Sequence, residues 1–123
     1  MNRASFHILR VGLAITFIWI GILILKDPEA WGGYLQPWAV NLLPVSVTQA
    51  LISTAVLDIV VGILFLIDWQ IWVAGLLGSL HIASVLIVSG ITDITVRDIA
   101  LLAACLAIAI EALPLYIKSK FKK

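Results

Sequence analysis

The chain has 123 residues, of which 63% are hydrophobic and 12% charged, with a formal net charge of +1. A domain this short has too much surface for its volume to hide that much apolar area from water, and soluble domains are nearer about 45–50% apolar. The balance excludes an ordinary soluble domain, a disordered chain and a nucleic-acid binder of the basic-patch type, because so small a charge steers no polyanion.

The mean hydropathy of +1.15 agrees with these exclusions and points to a polytopic membrane protein. A hydrocarbon core of about 30 Å takes about 20 helical residues to cross. Four stretches qualify: Phe6 to Leu25, Val47 to Ile67, Gln70 to Ser89 and Ile94 to Tyr116. Their apolar runs are continuous and do not alternate, so they read as helices rather than barrel strands. The expected fold is all-α, a single domain over residues 1–123 built as an antiparallel four-transmembrane-helix bundle. The first stretch is followed by Lys26, Asp27, Pro28 and Glu29 and has no small-residue cleavage site, so it reads as a membrane helix and not as a removed signal.

The connection from Lys26 to Ser46 carries Pro28, Gly32, Gly33, Pro37 and Pro44, which break any continuous helix. It also carries Trp31, Tyr34, Trp38, Leu42 and Leu43, so it should lie on or dip into the membrane, with a short helix near Pro37 to Leu43. It is either an interfacial anchor or a lid over a lipid-side pocket. The turn Asp68 to Gln70 is very short and folds the second and third helices into a hairpin. Arg3, Arg10, Lys118, Lys120, Lys122 and Lys123 lie on one side, against Lys26 and Arg97 on the other. The positive-inside rule then puts both termini in the cytoplasm, with a prokaryotic cytoplasmic membrane as the expected location. The lysine tail reads as an anchor beside anionic lipid.

Ionisable groups in hydrocarbon are costly, so each needs a reason. Asp58 lies ten residues before Asp68 and His81 thirteen after it. At about 1.5 Å rise per residue the two sit level on the hairpin, within reach of each other. Asp58 shares a stripe with Thr54 and Gly62, and His81 one with Ala74, Gly78 and Val85. Small neighbours let helices approach, so both polar residues should face inward. The pair is either a structural ion pair or a ligand-binding or proton-relay site. Nearer the cytoplasm, Arg10 and Glu111 match in depth and are expected to form a buried charge pair. Arg97, Ala100, Ala104, Ala107 and Glu111 make the expected inner face of the fourth helix. Arg97 is expected to pair with neighbouring acids such as Asp98 and Asp93.

Lone Cys105 permits no intramolecular disulfide, no paired-cysteine redox motif and no cysteine-based zinc site. It reads as a small core residue. A metal would need more than His81 and one acid, so no metal site is expected. There is no phosphate-binding glycine loop, nucleophile elbow or zinc-protease motif. The stripe Gly75, Ser79 and Ala83 packs either within the bundle or in a homo-oligomer.

Taken together, several motifs resemble the DoxX-like family of small four-helix membrane proteins, over nearly the whole chain. They are the stretch from Arg10 through Gly12, Phe17 and Trp19 to Gly21, the loop segment Pro28 to Trp31, Asp58 with Gly62 and Phe65, and Val96 to Leu102 with Arg97 and Asp98. Two positions differ: Asp58 stands where the family often has Glu, and Ile24 where it often has Lys. The resemblance implies a link to quinone-dependent redox complexes and to redox partner proteins. Asp58 is the residue most open to carry-over, then Arg97 and Asp98, then Arg10.

The expected function is thus a membrane subunit, linked to quinone or to a redox complex, that binds a small lipophilic molecule in a polar interior. It has no cofactor of its own, and quinone is the candidate ligand. The alternatives are a non-enzymatic scaffold or assembly factor and a small proton-coupled transporter. Against the last, transporters of this size carry their essential acid in the first span, where this chain has none.

Overall fold

The computed structural model describes residues 1–121, and the last two lysines of the tail lie outside the described residues. The described residues contain helices and turns but no strand. In chain order the helices are α1 (Arg3–Lys26), α2 (Pro28–Gly32), α3 (Pro37–Leu42), α4 (Val47–Leu66), α5 (Ile71–Ser89), α6 (Arg97–Glu111) and α7 (Leu115–Lys118). A 3-10 turn, Ser119–Phe121, follows α7.

Local chemistry sets most of these boundaries. The Asn2 side chain accepts the Ser5 N–H at 2.8 Å and starts α1. Asp27 ends α1 and caps the next helix by accepting the Ala30 N–H at 3.3 Å, with Pro28 in the first turn, where its missing N–H costs nothing. Ser46 caps α4 through the Gln49 N–H at 3.2 Å. Between α4 and α5, Asp68 and Gln70 take positive φ of 57° and 50°, and the chain reverses within four residues.

Helices α1, α4 and α5 are each long and apolar enough to cross a membrane. The fourth expected span is shorter and broken. Thr92 to Val96 form a turn, α6 ends at Glu111, and the segment Leu115–Phe121 leaves at 96°. Pro114 explains the break, since it lacks an N–H and disfavours helical geometry at Leu113. Only together do the two pieces pass as one span.

The four long helices share one core, in which Phe17, Val61, Phe65, Cys105 and Ile108 are fully buried. Two pairings within it are tight. A Cβ on Gly62 of α4 would lie 2.9 Å from the Ile18 nitrogen and 3.0 Å from the Ala14 oxygen of α1. A Cβ on Gly75 of α5 would lie 2.9 Å from the Cys105 oxygen of α6. The stripe of Gly75 and Ser79 therefore packs inside the chain. Ile8, Ile15, Trp19, Leu80, Ile87 and Ile110 point outward, giving the apolar exterior that a lipid environment requires.

Gly62→Ala is expected to destabilise the protein by about 1–3 kcal/mol, because the added methyl meets backbone that cannot yield. Gly12→Ala is the control, since nothing lies within 4 Å of its Cβ. Thermal unfolding in mild detergent should show a lowered midpoint for the first variant only.

Candidate functional site

Between the two tight helix pairs lies a cavity of about 420 Å³. Clefts that hold drug-sized ligands run from about 300 to 1,000 Å³. The walls are mostly apolar: Phe17, Ile20 and Ile24 from α1, Leu51 from α4, Ile82, Val85 and Val88 from α5, and Leu101 from α6. The roof is the connection between α1 and α4, with Trp31, Tyr34, Trp38, Ala39 and Leu42 all facing the cavity. The Trp31 and Tyr34 rings lie 5.9 Å apart. The Gln36 N–H donates to the Val88 carbonyl at 2.9 Å and holds the roof to the end of α5. The connection expected to be either an anchor or a lid thus forms one wall of a pocket.

Besides Tyr34 in the roof, three ionisable side chains reach this cavity: Asp58, His81 and Asp98. Asp58 is 3% exposed. His81 Nε2 lies 3.0 Å from Asp58 Oδ1. No hydrogen bond of standard geometry joins them, and Oδ1 accepts none among the described residues. The pair is therefore in electrostatic contact but leaves a buried carboxylate oxygen unsatisfied, which costs about 1–3 kcal/mol or more for a charged group. Asp98, on the first turn of α6, is within electrostatic reach of both Asp58 and His81. The three do not converge into a cluster able to hold a metal ion.

The placement of Asp98 corrects the expected face of α6. Arg97, Ala100 and Ala107 are exposed, whereas Leu101, Cys105, Ile108 and Ala109 turn inward. The helix is rotated by roughly one residue from the expected face, at about 100° per residue. Arg97 thus points away from the core and forms no ion pair within 4.0 Å among the described residues, so the expected pairing with Asp98 or Asp93 is absent. Alanines on both faces of α6 hide its orientation, because a small residue fits a tight contact and a lipid face equally well.

The expected pair of Arg10 and Glu111 is not formed either. Arg10 Nη1 donates to the Phe65 carbonyl at 2.5 Å and to the Leu66 carbonyl at 2.9 Å, and its Nε lies 3.7 Å from Asp68. It also donates to His7 Nδ1 at 3.1 Å. The guanidinium thus caps the negative end of α4. Glu111 instead meets the N-terminal ammonium at 3.1 Å, and its carbonyl accepts from Lys118 Nζ at 2.6 Å. Matching depth was not enough: α1 lies closest to α4, so Arg10 turns toward that neighbour and away from α6.

Arg10→Met is expected to cost about 1–3 kcal/mol by orphaning the last carbonyls of α4. Glu111→Gln should be nearly neutral, and the double variant should be additive within about 0.5 kcal/mol in unfolding measurements. A larger coupling would mean that the two side chains meet.

No family model matches the chain, and no curated protein or solved structure is significantly similar to it.

Proposed function

We propose that the protein is an integral membrane four-helix bundle that binds a small lipophilic molecule with a polar, quinone-type head. The observation that carries this reading is the combination of an apolar cavity with an unsatisfied, 3%-exposed carboxylate beside an imidazole. Apolar walls favour a ring and a short tail, and a few polar groups fix the head. Both termini face the cytoplasm in this reading, by the distribution of Lys and Arg. The DoxX-like motifs support the same assignment, since Asp58 and Asp98, two of the residues they share, both line the cavity. The chain has no redox cofactor motif, so any electrons are carried by the ligand or by a redox partner protein.

The test is a titration of the full chain in lipid nanodiscs with duroquinone, read by tryptophan fluorescence, because Trp31 and Trp38 line the cavity. Saturable quenching is expected. Val85→Phe narrows the cavity and should weaken it about tenfold or more. Quenching that rises linearly and equally in both proteins with duroquinone and with its hydroquinone, as bulk partitioning would give, removes the reading.

A further inference from the structure

The cavity is unevenly supplied with hydrogen-bonding groups. The Thr54 hydroxyl donates to the Leu51 carbonyl at 2.8 Å, and the Ser84 hydroxyl to the Leu80 carbonyl at 2.8 Å. The Thr95 hydroxyl likewise donates to the Gly90 carbonyl. Each of these side chains has spent its only proton on backbone and offers the cavity lone pairs alone. Asp58 and Asp98 add carboxylate oxygens. Tyr34, Trp31 and Ser89 also bring donors, but at the roof and at the far end of α5, about two turns from His81. On the turns around Asp58 this leaves the His81 ring as the donor, with its Nε2 3.0 Å from Asp58 Oδ1.

We infer that the occupant of this cavity presents a hydroxyl donor to Asp58, so that the site takes a phenol or hydroquinone head in preference to a ring bearing only carbonyl or ether oxygens. The inference rests on the cavity being a ligand site and adds which chemical form it holds. A carbonyl-only head would set lone pairs against lone pairs at Thr54, Ser84 and Asp58. A hydroxyl supplies the proton that the buried carboxylate lacks, and its ring fills the space between Phe17, Ile82 and Leu101. A hydrogen bond to a charged acceptor is stronger than one between neutral groups, which sets the scale of the preference at about tenfold or more.

The experiment compares 4-hexylphenol with 4-hexylanisole, which differ by one methyl on the oxygen and are not a redox pair. Both are titrated into the full chain in nanodiscs, with empty nanodiscs correcting for partitioning. The expected result is saturable binding with the phenol tighter by about tenfold or more, and loss of that preference in Asp58→Leu, whose side chain accepts nothing. Equal binding, or tighter binding of the anisole, overturns the hydroxyl preference while leaving the cavity as a ligand site. A preference that survives Asp58→Leu also overturns it, because the proton then goes elsewhere. Saturable binding of neither compound, nor of duroquinone, removes the ligand site itself. Infrared difference spectra of the unaltered chain give a second readout that needs no variant. The phenol should shift a carboxyl band and the anisole should not, and an unshifted band on phenol binding overturns the assignment to a carboxyl acceptor.

Discussion

The close contact of α1 with α4 is the constraint on which the rest of the molecule depends. It exists because Gly62 has no side chain to hold the Ile18 and Ala14 backbone away. Gly75 does the same for α5 against α6. Two tight pairs joined by a short turn cannot also close tightly on each other along their whole length. Near the turn, Phe17 and Phe65 fill the gap, with ring centres 6.1 Å apart. Farther from the turn the gap stays open, and Asp58 and His81 stand at its inner end. Close packing in one direction thus makes room in the other.

The polar side chains of the helices sort into two kinds. Arg10 is fully used: its protons go to the α4 carbonyls and to His7, and it holds the hairpin end together. Thr54, Ser84 and Thr95 are used in the same sense, since each hydroxyl returns a proton to backbone. Asp58 is the exception. A carboxylate with no donor in a low-dielectric interior is a standing cost, and natural folds keep such costs mainly where they serve something. That contrast, rather than the presence of charge alone, separates the site from the scaffold.

Much of this was legible in the chain itself. The first three long helices follow from run length, and their observed ends lie within three residues of those read from composition. Depth arithmetic along a hairpin with a four-residue turn is reliable, because both positions count from one fixed point. It set Asp58 level with His81. The same arithmetic misled for Arg10 and Glu111, whose helices share no turn. Depth then says nothing about rotation around the helix axis. Rotation was also what hid Asp98. An alanine-rich helix has no sharp apolar face, so Arg97 and Asp98 competed for the interior with little to separate them. The roof of the cavity was legible as an apolar loop, either an anchor or a lid, and the choice between them was not, because its position depends on the Gln36 bond to Val88, a contact between distant segments.

The shortness of α6 has a consequence for the surroundings of the protein. Fifteen helical residues rise about 22 Å, against about 30 Å for an average hydrocarbon layer. Beyond Glu111 the chain turns sideways, bringing Tyr116 and Lys118 to that depth. In a bilayer, hydrophobic mismatch would then be concentrated on one flank of the protein. Lipids beside α6 would have to shorten or splay there, while those beside the 24-residue α1 would not. The protein would therefore impose a thickness gradient on its bilayer and favour neighbours, or membranes, that already match the thinner side.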